Sequence, residues 1–409
     1  MKNLNNISQD LYNLVKSEEK RQQEMISLIA SENYVSKAVL EAAGSVLTNK
    51  YSEGYPGRRY YPGNFYIDKI EEVCKAKAKE IFGLGDDWQV NVQPYSGAPA
   101  NLEVYFALLE PGEKILSLKL SHGGHLSHGH KVNASSHFYQ IVHYGVNSEG
   151  LIDYDEVEKL AIAEKPKIII SGATAYSREI DFKRFGEIAK KVGAYHLADI
   201  SHIAGLIVAG LHQSPFSCAD IVMTTTHKTL RGPRSAVIYS KSEIAEKIDK
   251  TVFPGFQGGP HEHIILAKAI AFEEALKPEF KEYQKQIIKN AKVLADELIV
   301  KGFKLVSGGT DNHLILMDLR GVIDASEAEK LLEESNILAN RNTIPDDPSP
   351  FKPSGLRLGT PATTTRGMKE SEMKIIAQFI TKILKKEGTP LEIKPQVIDL
   401  CKKFPIYEN

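Results

Sequence analysis

Four short runs in the middle of the chain are apolar almost throughout: "KILSLKL" (114–120), "KIIISG" (167–172), "AYHLAD" (194–199) and "DIVMTTT" (220–226). Each has the length of a strand, and the lack of a polar face predicts strands covered on both sides. "VNVQPYSG" (90–97) reads as a further strand running into a turn, followed by the helix "PANLEVYFALLE" (99–110). "FKRFGEIAKKVG" (182–193), with apolar residues at helical spacing, lies between two of the apolar runs. Strands alternating with helices predict an α/β fold, a doubly wound and mostly parallel sheet with ligands at the strands' carboxyl ends.

The flanks have other rhythms. Residues 8–30 have helical spacing and predict an N-terminal arm, and "IDKIEEVCKAKAKEIFG" (67–83) predicts a helix. Between them, residues 49–66 hold six aromatic side chains among several Gly and Pro, which predicts a loop with a binding surface. After "FPGFQGGP" (253–260) one long helical stretch is expected to about residue 301. Strands "FKLVSG" (303–308) and "HLILMDL" (313–319), with helices near 324–335 and 368–386, predict a smaller α+β unit. The expected division is an arm over 1–50, a large domain over 51–275 and a small domain over 276–409.

Composition narrows the class. The chain has 409 residues, 42% hydrophobic and 25% charged, enough for a large core. A net charge of −1 offers no electrostatic footprint for nucleic acid or a membrane surface. Cys74, Cys218 and Cys401 are far apart and match no zinc spacing, as expected in a reducing compartment. The first residues lack a secretory apolar segment, and "IAGLIVAGL" (203–211) is too short to span a bilayer. A soluble cytoplasmic protein is expected, with no nucleic-acid or membrane partner.

Four features fall where such a sheet keeps its chemistry. "QPYSGAPAN" (93–101) puts Ser96 and Gly97 between a strand and a helix N-terminus, where free N–H groups favour a phosphate; a plain serine cap reads equally well. "SHGGHLSHGH" (121–130) crowds four histidines into ten residues, compatible with a metal site, a ring stacker or a polar loop. "LADISHIAG" (197–205) ends an apolar run on Asp199, either a helix cap or a buried carboxylate in need of a cationic partner. "TTTHKTLRGPR" (224–234) delivers Lys228 from the end of a core strand, where desolvation favours the reactive neutral amine, and His227 and threonine hydroxyls such as that of Thr225 supply oriented hydrogen bonds. In this order the four are the parts that a pyridoxal phosphate enzyme needs. Arg357, in "SGLRLGTPA" (354–362), adds a planar fork suited to an amino acid carboxylate.

These stretches, with "LIASENYVS" (28–36), "LTNKYSEGYPGRRYY" (47–61), "FPGFQGGP", "VSGGTDNHL" (306–314) and the tail "VIDLCKKFPIY", closely resemble the serine hydroxymethyltransferase family. The resemblance implies a fold-type I pyridoxal phosphate enzyme without a metal. It implies transfer of the serine hydroxymethyl group to tetrahydrofolate, giving glycine and methylenetetrahydrofolate through a cofactor aldimine and a glycine quinonoid. Lys228 would form the Schiff base, Asp199 would pair with the pyridine nitrogen and His125 would stack on the ring. His202 and Thr174 would lie near the ring's phenolic oxygen, with Thr225 and His227 beside the lysine. Ser96, Gly97 and the main chain of Ala98 would hold the phosphate, completed by Tyr51, Gly258 and Gly259 of a second subunit. Ser31, Tyr61, His202 and Arg357 would bind serine or glycine, and Glu53 would handle protons near the transferred carbon. Leu120, Gly124, Leu126, Tyr60, Phe253 and Asn342 would line the folate pocket. A homodimer or a dimer of dimers with shared sites is implied.

The chain departs from the family pattern at Ala98, Ser201, Pro62 and Phe256. These positions keep open a relative that acts as a β-hydroxy amino acid aldolase or transaldolase, or as an α-methylserine-type hydroxymethyltransferase.

Overall fold

The computed structural model describes residues 2–349 and 351–407. Its centre is a seven-stranded sheet of β1 (Trp88–Asn91), β2 (Lys114–Leu118), β3 (Gln140–Tyr144), β4 (Ile168–Ser171), β5 (Tyr195–Asp199), β6 (Ile221–Thr225) and β7 (Ala236–Lys241). The spatial order is β1-β7-β6-β5-β4-β2-β3, and only β7 runs against its neighbours. The unbroken apolar runs follow from this burial. Ile168 and Ile170 face one core, with Ile221 and Met223, while Ile169 faces the other, with Ala198 and Val222. Helices α1 (Gln9–Glu24), α2 (Phe65–Glu80), α3 (Gly97–Leu108), α4 (Tyr154–Glu164), α5 (Phe182–Val192), α6 (Glu262–Ala275) and α7 (Pro278–Val300) lie within the first 300 residues, as do these strands.

A second sheet is antiparallel, with β8 (Lys304–Leu305), β9 (Leu314–Asp318), β10 (Asn340–Asn342) and β11 (Gly355–Gly359) in the order β8-β9-β11-β10. With helices α8 (Ala325–Glu334), α9 (Glu370–Leu384) and α10 (Pro390–Lys402) it encloses its own core. Among the described residues no helix is long and apolar enough to cross a membrane.

Several predicted elements shift. The helix expected over 8–30 stops at Glu24, and Ile26–Ser27 pair in parallel with Ile337–Leu338, so Ile26 and Leu28 fill the second core. The stretch expected to run unbroken to 301 is two helices, because Pro278 cannot continue a helix and instead starts a new one at its first turn. "FKLVSG" keeps only two strand residues before a 3₁₀ turn. The aromatic segment folds as a two-residue hairpin, Gly54–Tyr55 against Arg58–Arg59, and its last two aromatics open α2.

Candidate active site

At the carboxyl ends of β4, β5 and β6 the chain encloses a cavity of about 220 Å³. Its lining includes Ser96, Gly97 and Ala98 at the start of α3, His125 from the histidine-rich loop, Thr174 after β4, Asp199 at the end of β5 and His202 after it, and Thr225 at the end of β6 with His227 and Lys228 after it. Residues more than a hundred positions apart thus meet because parallel strands deliver all their carboxyl ends to one edge.

The lysine is held away from water. Lys228 is 9% exposed, and its Nζ donates to Thr225 Oγ1 at 2.8 Å. Burial lowers the amine to about 8; Asp199 opposes the shift, and Arg357 and Arg234 add to it. Among the described residues His227 has no partner on Nδ1, and burial beside Lys228 lowers it to about 3.

Asp199 is the opposite case. Burial alone would raise the acid, but hydrogen bonding and charge from His128 and a bond from the Ser201 N–H hold it below the usual carboxylate range. His128 Nε2 lies 2.9 Å from Oδ2, Asn101 Nδ2 donates to the same oxygen at 3.1 Å, and Ser201 N–H donates to Oδ1 at 3.1 Å. The carboxylate is therefore clamped at the cavity wall rather than spent as a helix cap.

At the other end, Ser96 occupies the N-cap of α3 without making a side-chain cap bond, which leaves its hydroxyl free. A Cβ built on Gly97 would come within 2.6 Å of Thr225 Cγ2, so only glycine leaves this cradle open. His125 is turned by Ser127, whose N–H donates to Nδ1 at 3.2 Å and whose hydroxyl lies 2.8 Å from it; burial lowers this ring to about 4. The other histidines of the loop diverge: His122 Nδ1 accepts the Val146 N–H, and His128 turns to Asp199. Among the described residues no group of His, Cys, Asp or Glu could hold a metal ion.

Arg357, on β11, does not line the cavity itself but bonds Thr174 of its wall. Its Nη1 donates to Thr174 O at 2.7 Å and Thr174 Oγ1 at 3.1 Å, and its Nε to Asn340 Oδ1 at 3.1 Å. Burial lowers it to about 10.

Not every expected residue lines this cavity. Tyr51, Glu53, Tyr61, Gly258 and Gly259 form a second cluster. Tyr51 OH donates to Glu53 Oε1 at 3.2 Å, the Tyr51 and Tyr61 rings meet edge-on at 4.9 Å, and both glycines face Tyr51. Tyr60 packs edge-on against Phe253 at 5.6 Å. The loop holding these residues is pinned by Arg59, which donates to Glu71, Asp68 and the carbonyls of Ser52 and Gly54, while the buried Ser52 hydroxyl donates to Glu262 at 2.6 Å. Leu120, Gly124 and Leu126 stay on the histidine-rich loop, Asn342 ends β10, and Ser31 lines a separate surface groove.

The departures find local explanations. The Ser201 hydroxyl accepts the Thr225 N–H at 3.0 Å and contacts Met223 sulfur, so it is absorbed in packing. Phe256 packs edge-on against Phe106 at 4.9 Å, and the carbonyl of Pro62 accepts from Lys50. Ala98 offers only its main chain.

Sequence reasoning missed His128, Asn101 and His313. A signal existed for the first two: His128 lies three residues beyond His125, and Asn101 one helical turn beyond Gly97, so each shares its neighbour's face. A family model described as serine hydroxymethyltransferase matches residues 4–380 of the chain.

Proposed function

Because the chain belongs to the serine hydroxymethyltransferase family, whose members are pyridoxal phosphate-dependent glycine hydroxymethyltransferases, we propose that it transfers the hydroxymethyl group of serine reversibly to tetrahydrofolate. Glycine and methylenetetrahydrofolate are the products. The observation that carries the reading is the pairing of a desolvated amine with a clamped carboxylate across one small cavity.

The cavity suits a flat anionic aldehyde. Gly97 leaves room beside three N–H groups at a helix start, Lys228 offers an amine that donates to a threonine hydroxyl, and Asp199 offers a negative charge suited to a protonated ring nitrogen. Bound there, pyridoxal phosphate supplies an electron sink for the bond broken at the amino acid's α-carbon. Ser96, Gly97 and Ala98 would hold its phosphate, Asp199 would pair with its ring nitrogen, and His125 would lie against the ring. Lys228 holds or releases a proton at Nζ near neutrality. Arg357 grips the substrate carboxylate through the donors that Thr174 and Asn340 leave free. Burial of His202 and Lys228 excludes water from the reacting atoms.

The second cluster is complementary in content to the cavity: it holds a carboxylate, phenols and two glycines whose backbone can approach a ligand. We assign Tyr51, Glu53, Tyr61, Gly258 and Gly259 to the site of a second subunit in a homodimer, or a dimer of dimers. Leu120, Leu126, Tyr60, Phe253 and Asn342 serve folate, and Ser31 the amino acid.

The test is serine turnover with and without tetrahydrofolate, followed as methylenetetrahydrofolate. Folate-dependent glycine release is expected. Cleavage of β-hydroxy amino acids that ignores folate would overturn the proposal in favour of an aldolase.

A further inference from the structure

The end of the cavity nearest Arg357 is backed by a second histidine. His313 precedes β9, is fully buried, and sets its Nε2 3.1 Å from His202 Nδ1. The two ring planes differ by 25° and their centroids lie 5.3 Å apart. The nitrogens approach more closely than the ring centres, so the rings meet edge to edge and share one proton rather than stacking. On its far side His202 Nε2 lies 3.1 Å from Thr174 Oγ1, which also accepts from Arg357 at 3.1 Å. The loop is tied in place by Asn312, whose Nδ2 donates to the carbonyl of Tyr176, two residues beyond Thr174.

Counting protons along this chain gives one assignment. Burial, with the nearby charges of Lys228 and Arg357, holds both rings neutral, so each carries a single N–H. Among the described residues His313 Nδ1 has no hydrogen-bond partner. A proton there would be a buried N–H without an acceptor, the rarer and costlier kind of orphan. The His313 proton is therefore on Nε2 and is donated to His202 Nδ1, and the His202 proton is on Nε2 and is donated to Thr174. Both lone pairs of the Thr174 hydroxyl are then filled, by Arg357 and His202, and its own hydrogen points to the cavity it lines.

We infer that His313 is a positioning residue: it fixes the tautomer of His202 and so makes the Thr174 hydroxyl a hydrogen-bond donor to an oxygen of whatever occupies the cavity. The inference rests on the reading of this cavity as the active site, but its first test does not depend on turnover. Neutron diffraction of the full-length protein should show deuterium on Nε2 of both His202 and His313 and none on His313 Nδ1. Deuterium on Nδ1 of either ring overturns the assignment, with the proposed function untouched; the expected deuteration in a protein without folate-dependent turnover overturns the function and leaves the assignment intact. In solution His313→Leu, which cannot donate, should raise the KM for serine up to about tenfold, the effect of one lost hydrogen bond, and shift the pH profile. His313→Gln, whose amide N–H can replace Nε2–H, should recover most of the loss. Equal effects of Leu and Gln on KM and on the pH profile would refute the positioning role.

Discussion

Lys228→Met measures the cost of holding an amine in this cavity. Burial lowers the folded-state value from 10.5 to about 8. Between those two values the unfolded chain binds a proton that the folded chain has lost, so stability rises with pH across that window. Below about pH 8 both states are protonated and the folded state carries the whole penalty. At about 1.36 kcal/mol per pH unit, the drop to about 8 amounts to roughly 3 kcal/mol. Methionine keeps the length and approximate volume while removing the charge. The variant also loses the bond from Nζ to Thr225 Oγ1, which contributes about 1 kcal/mol. The cofactor-free Met variant is thus expected to be more stable than wild type by about 2 kcal/mol at pH 7, with the advantage gone once the amine is neutral in both states. Urea unfolding of both cofactor-free proteins at pH 7 and again above pH 10 reads the difference. A difference that does not change with pH, or a wild type that is the more stable at pH 7, would refute the claim that the amine is desolvated.

Two further substitutions separate the ends of the cavity. Arg357→Lys keeps the charge but loses the fork, and with it a charge-assisted contact of about 1.5–3 kcal/mol, so the KM for serine should rise roughly 10- to 100-fold while cofactor binding persists; unchanged serine saturation would remove Arg357 from the carboxylate site. Gly97→Ala places a Cβ 2.6 Å from Thr225 Cγ2, and the crowding should weaken pyridoxal phosphate binding tenfold or more (about 1.4 kcal/mol), read by titrating cofactor into stripped protein. Wild-type affinity would show that the phosphate lies elsewhere.

Much of this architecture was legible along the chain. Apolar runs of strand length, each ending in a polar or reactive residue, place Asp199 and Lys228 at one sheet edge because a parallel sheet sends all its carboxyl ends the same way. The turn before α3, with Ser96 and Gly97, is equally local. Strands β3 and β7 escaped: "QIVHY" is half polar, and "AVIYSK" follows β6 without an intervening helix and runs backwards. The break before Pro278 has a local cause in the proline itself, which cannot continue the preceding helix.

What no local pattern carries is partnership. Asp199 is clamped by His128 from 71 positions away, and His202 meets His313 across 111. Arg357 comes 183 positions from the threonine it bonds, and the tyrosine-rich loop takes its shape from Arg59 and Glu262 and does not line the lysine's cavity. The sequence by itself determined which groups exist and which strand end or turn presents each, since those follow from short-range periodicity and turn chemistry. Only the tertiary structure decided which groups face one another, which charges are desolvated and which protons are shared, because these depend on side chains brought together by packing rather than by proximity along the chain.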